Sequence, residues 1–133
     1  MDYVKIGGKV WKVIVLDVSE SFSILYSENT GRTMSLGAGM TLDPLGTFFN
    51  HTVTFARKPN EVDEFDKLYD FLSIPRYDGI DVDIVHNQET LKYKAYVSQG
   101  ERKLTKIDLT TDTVYWDTFT AEFIAMEAQV LPE

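Results

Sequence analysis

The sequence predicts a mainly β protein, an antiparallel β-sandwich or flattened barrel with one flanking α-helix over residues 60–72. Three observations carry this. Most ordered stretches alternate apolar and polar residues with period 2. Glycine- and asparagine-containing pairs stand between such runs, as tight hairpin turns require. One stretch alone has helical spacing, with Val62, Phe65, Leu68, Tyr69 and Leu72 forming a single apolar stripe.

Tyr3 to Val18 reads as a hairpin, because Gly7 and Gly8 supply the two positive-φ positions of a primed turn. The turn sets Ile6 opposite Lys9 and Val4 opposite Trp11, placing Val4, Ile6, Trp11, Val13 and Val15 on one surface. Ile14, Leu16 and Val18 add apolar residues to the other side, so the far half of this strand is expected to be covered on both faces. Ser19 to Tyr26 alternates as a half-buried strand, with Phe22, Ile24 and Tyr26 on one side and Ser19, Ser21 and Ser23 on the other.

Residues 27–46 have turn chemistry at their ends, in Asn29, Gly31, Asp43-Pro44 and Gly46. Apolar residues repeat between them at Met34, Leu36, Ala38, Met40 and Leu42. A connection longer than about 12 to 15 residues is usually functional or disordered. A period-2 apolar arm is satisfied either on a neighbouring subunit or by folding back as an extension of its own sheet. Gly37 to Gly39 lacks the lysine and the strand-to-helix context of a phosphate loop.

Thr47 to Arg57 is a strand with Phe49, Val53 and Phe55 on one face, and His51 on that apolar side is expected to be a hydrogen-bonded core or rim residue. The helix follows, with Asn60 as N-cap, Asp63 and Glu64 in the first turn, and Pro75 ending it. Gly79 to Val97 is a second hairpin turning at Asn87-Gln88. Its inward residues are Ile80, Val82 and Ile84 against Leu91, Tyr93, Ala95 and Val97, and Asp81 and Asp83 face Lys92 and Lys94 outside. A shorter strand, Lys103 to Leu109, follows a connection at Gly100. The last strand, Tyr115 to Met126, points Phe119, Ala121, Phe123 and Ala125 inward. Val130 to Glu133 is a tail.

With 133 residues, the chain suits one domain spanning 1–133, with the 27–46 arm as its extension. The absence of cysteine excludes a disulfide framework and thiolate metal sites, and fits folding in a reducing cytoplasm. No stretch has the length of a membrane span, and Met1 to Lys5 lacks signal-peptide features, so neither membrane insertion nor signal-directed export is expected. The formal charge of −8 opposes specific nucleic-acid binding, and Arg102-Lys103 with Lys106 is too short a basic cluster to reverse that.

The two histidines are far apart in sequence and no nucleophile motif is present, so the expectation is a non-enzyme with no cofactor and no metal. Asp81 and Asp83 do not converge with His86, which strand parity puts on the opposite face. Seven tyrosines and two tryptophans leave a monomeric glycan- or ligand-binding β-sandwich as the alternative reading.

The order of pieces, together with the phrases Ser19 to Ile24, Glu28 to Thr33 and Phe123 to Ala128, resembles the small virion structural proteins of tailed bacteriophages and prophages of Gram-positive bacteria. Their domains have the fold shared by tail-tube proteins and the first domain of distal tail proteins. The resemblance implies a homo-oligomer, commonly a hexameric ring, that forms a tail tube, adaptor or baseplate ring and contacts other tail or baseplate proteins. It implies passive DNA passage, location in the virion tail and assembly in the bacterial cytoplasm. By the same resemblance the arm, with Arg32, Met34, Leu36, Met40 and Leu42, would bridge subunits, and Asp81, Asp83 and Glu122 are candidates for acids facing the lumen.

Overall fold

A computed structural model describes residues 2–28, 30–32 and 39–133. The chain is mainly β. Six strands form one antiparallel sheet: β1 Val4–Ile6, β2 Ile14–Tyr26, β5 Pro44–Ala56, β6 Ile80–His86, β7 Glu89–Asp108 and β8 Thr113–Ala125. Their order across the sheet is β1-β6-β7-β8-β5-β2. Two further strands, β3 Gly31–Arg32 and β4 Met40–Thr41, make a small ribbon of their own, and the helix α1 spans Val62–Leu72.

One face of the sheet carries the core. Val53 and Phe55 of β5 pair with Ala121 and Phe119 of β8, and Val82 of β6 pairs with Tyr93 of β7, all of them buried. The helix covers this face. Phe65, Leu68 and Leu72 are buried, and the rings of Phe65 and Tyr69 meet Phe119 edge-on at 5.1 and 5.5 Å. The inward sets expected for the second hairpin and the last strand are those observed. Ile80, Val82, Ile84, Tyr93, Ala95, Phe119, Ala121, Phe123 and Ala125 are buried, and Leu91 and Val97 pack half-buried against them. The turn at Asn87-Gln88 also stands, with Asn87 at φ 55°.

Several expectations are corrected by partners distant in sequence. Gly7 and Gly8 do take φ of 64° and 77°, and Ile6 bridges Lys9, but Val4 is not opposite Trp11. β1 instead pairs with β6, placing Val4 against Ile84, while the Gly7 N–H donates to the Asp81 carbonyl at 2.8 Å. Trp11 turns back over the glycine turn. Its indole N–H donates to the Ile6 carbonyl at 2.9 Å, and its ring lies 5.3 Å from Phe71.

The segments expected as two strands over 10–26 are one strand from Ile14, bulged at Leu16 and paired with β5. Ile14, Val15 and Leu16 are exposed, because β2 is an edge strand and has no second covering layer among the described residues. Likewise β7 does not break at Gly100. It continues to Asp108 by shifting register between Val97 and Gly100, which absorbs Ser98 and Gln99.

At the helix start, Lys58 and Glu61 close a turn through a 2.9 Å hydrogen bond. Asn60 is used in that turn, and the N-cap position falls to Glu61, with no side-chain cap. Val62, one turn before the buried stripe, is exposed. The tail is tied down rather than loose. Gln129 and Val130 bond to the Thr47 backbone, and the Gln129 side-chain amide accepts from and donates to the Phe49 backbone at 3.0 and 2.9 Å, taking the place of a strand neighbour.

Candidate assembly surface

β2 has thirteen residues and lies at one edge of the sheet. Its backbone pairs with β5 on one side, and on the other side no strand is paired with it among the described residues. Register with β5 places Val18, Glu20, Phe22 and Ile24 opposite Val53, His51, Phe49 and Thr47. The first two of these lie over the core. The last two run past it, because β8 stops pairing with β5 at His51 and only the Gln129-Val130 tail continues along that side. Phe22 is therefore 66% exposed, touching Phe49 at a ring distance of 6.2 Å, and Ile24, Leu25 and Tyr26 are exposed beside it. The expectation of a half-buried strand over 19–26 fails for this reason. The alternation is present, but among the described residues no layer covers it.

The arm continues from the overhang. The Ser27 N–H donates to the Asp43 carbonyl at 2.9 Å, the Ser27 hydroxyl donates to the Asp43 carboxylate, and the Asp43 N–H donates to the Thr30 hydroxyl at 2.8 Å. Beyond this base, Gly31 and Arg32 pair with Thr41 and Met40. The ribbon is separate from the six-stranded sheet, and Met40 and Leu42 stand 53% and 59% exposed. Arg32 thus has its backbone in the ribbon, whereas Met34 and Leu36 lie outside the described residues.

The three acids assigned to a lumen share the outward face of the sheet. Asp81 and Asp83 alternate with buried Ile80, Val82 and Ile84, and Glu122 alternates with buried Ala121 and Phe123. Their surroundings differ. Asp81 and Asp83 stand in register with Lys94 and Lys92, which offset their charge, while Glu122 lies opposite Thr52 and accepts from the Gln99 amide at 3.1 Å. Thr52 and Thr54 of β5 and Thr118 and Thr120 of β8 lie on the same face, and Thr54 and Thr120 share a hydrogen bond of 3.2 Å.

A second grouping was not foreseen as a unit. Glu20 Oε2 accepts from His51 Nε2 at 2.8 Å and from His86 Nδ1 at 2.7 Å, and His51 Nδ1 lies 2.8 Å from the Tyr93 hydroxyl. His51 is fully buried and hydrogen-bonded, as its place on the apolar side of its strand suggested. Burial pulls the His51 imidazole below its ordinary 6.5, against the opposing hydrogen bond and charge of Glu20. For Glu20, burial pushes the carboxyl up, but the hydrogen bonds and charges of His86 and His51 outweigh it and hold the group below 4.5. Burial and the Glu20 charge raise Tyr93, which stays a protonated donor. Glu20 shares strand parity with Phe22 and Ile24, which is a sequence signal for its inward position. Its meeting with His86 needed the curvature of the sheet. Among the described residues, no group of three or more His, Cys, Asp or Glu side chains is placed to hold a metal ion.

No family model and no curated protein matches the chain. Among the described residues, no helix is long and apolar enough to cross a membrane.

Proposed function

We propose that this chain is a structural component of a phage tail that self-assembles into a ring or tube, as a tail tube, adaptor or baseplate ring, through its sheet edges and its arm. The observation that carries the assembly part is β2, a thirteen-residue edge strand whose outer side is paired with no strand among the described residues, with Leu16, Phe22, Ile24 and Leu25 open to solvent. A long apolar edge is a template for pairing, and a chain that keeps one ordinarily covers it with a partner. In the neighbouring arm Met40 and Leu42 are exposed as well. The assignment to a phage tail rests on the resemblance in element order, and the hexameric ring, the other tail and baseplate proteins as partners, passive DNA passage and the virion location follow from that reading. The acids facing a lumen would be Asp81, Asp83 and Glu122. Of these, Glu122 has the fewest cations opposite it and would contribute most to repelling phosphate.

Light scattering coupled to size exclusion, followed by negative-stain imaging, tests this. Rings or tubes that grow with concentration are expected, and a strict monomer at millimolar concentration would sink the proposal. One feature favours the alternative of a ligand-binding module. A cleft of 510 Å³, lined by Ile6, Trp11, Val13, Val18, Phe55 and Val85, lies beside β2 and has the size of a small-molecule site. Saturable binding of a small apolar ligand by a chain that stays monomeric would move the reading there. Stacking platforms for sugars are less favoured, since Trp11 packs on Phe71 and Trp116 lies 4.0 Å beneath the Arg102 guanidinium.

A further inference from the structure

The Glu20 cluster joins parts of the sheet that the backbone leaves apart. β2 and β6 are not hydrogen-bonded neighbours, yet one carboxylate oxygen on β2 is held by His51 of β5 and His86 at the end of β6. The groups facing this oxygen and its partners are His51, His86, Tyr93 of β7 and Glu89, which lies opposite His86 in register. With His51 Nε2–H donating to a carboxylate, Nδ1 of the neutral ring is the acceptor and the Tyr93 hydroxyl is its donor. Each bond then holds one proton. A second proton on His51 turns Nδ1 into a donor and deprives the Tyr93 hydroxyl of its acceptor, at a place where His51 is 0% and Tyr93 8% exposed.

We propose that the chain Tyr93–His51–Glu20–His86 is a proton-sensitive latch on the edge strand: it seats β2 at neutral pH and releases it in acid. The physical basis is differential exposure. With β2 seated, His51 is sealed. With β2 lifted, it meets water and accepts a proton at its ordinary value. Both His51 and Glu20 are held below their ordinary pKa values in the folded chain. The stability they lend is therefore complete above those values and declines as pH falls, from 6.5 downward for His51 and from 4.5 downward for Glu20. In the first range the lifted fraction grows as pH falls by no more than tenfold per pH unit, which bounds the rise between pH 7.5 and 5.0 at about 30-fold. The latch belongs to a single chain and does not rest on assembly.

Residue-resolved amide exchange of the full chain, at a dilution where it sediments as one species, tests the latch. The β2 amides between Val18 and Phe22 are compared with those of β8 between Phe119 and Phe123, after correction for intrinsic exchange. Relative opening of β2 should rise severalfold from pH 7.5 to 5.0, with about 30-fold as the ceiling. His51→Gln should remove most of that rise, and Glu20→Gln should raise opening roughly tenfold already at pH 7.5. A pH-independent ratio in the natural chain, or a His51→Gln variant as pH-sensitive as its parent, overturns the proposal. Should His51→Gln fail to fold, Glu20→Gln decides, since Glu20 lies on the exposed edge strand, and unchanged opening at pH 7.5 is then the refuting result.

Discussion

Phe22→Ala separates a packing role from an assembly role at the edge strand. Phe22 is 66% exposed, so about a third of a side chain worth roughly 200 Å² is covered within one chain, near Phe49. At about 25 cal/mol/Å², that third contributes at most ~1.7 kcal/mol to folding, well short of the ~3 to 5 kcal/mol expected for truncating fully buried Phe123. The other two thirds, about 130 Å², would be covered only in an assembly. Their burial corresponds to roughly 3 kcal/mol per contact, or about a hundredfold in association constant. Urea unfolding in dilute solution reads the first quantity, and sedimentation velocity over a concentration series reads the second. A folding loss as large as that of Phe123→Ala, or an association constant unmoved by the substitution, would refute the reasoning.

Three further outcomes follow from particular positions. Leu68→Asp places an unpaired carboxylate at a fully buried site under the helix and should cost several kcal/mol, about 4 or more, seen as loss of cooperative thermal unfolding near neutral pH. Gly79 has φ 73°, and a Cβ there would lie 2.6 Å from the Ala95 carbonyl oxygen and 2.4 Å from Met126 Sδ. Gly79→Ala should therefore destabilise by roughly 2 kcal/mol or more, whereas Gly8→Ala, with open space around it, should cost only about 1 kcal/mol of backbone strain. Replacing Thr33 to Thr41 by a short Gly/Ser bridge should leave the folding midpoint nearly unchanged while weakening oligomers. Loss of folding instead would place the arm within the chain's own core.

The residues foreseen and those missed divide by the range of the interactions that place them. Asn87-Gln88, Gly7-Gly8 and the inward row of Phe119, Ala121, Phe123 and Ala125 are set by turn geometry and strand alternation, both properties of a few consecutive residues. The helix is of the same kind, although its first turn departs because Pro59 and Asn60 are taken up in the turn from Lys58 to Glu61. Missed were the pairing of β1 with β6, the single run of β7 through Gly100 and the meeting of Glu20 with both histidines. Each joins residues tens of positions apart or depends on a bulge that shifts register, and periodicity contains neither kind of information.

The sequence by itself determined a sheet protein with one helix, where its hairpins turn, and which side of most strands is apolar. Alternation at period 2 and spacing at 3.6 are enforced by backbone geometry wherever the chain goes. Only the tertiary structure decided which strand lies at the edge. Phe22 and Ile24 alternate as convincingly as Val53 and Phe55, but burial depends on what lies across from a side chain: β5 has β8 beside it over the core, while Phe22 and Ile24 in the far half of β2 stay exposed among the described residues. That difference makes one apolar face a core and leaves the other exposed to solvent.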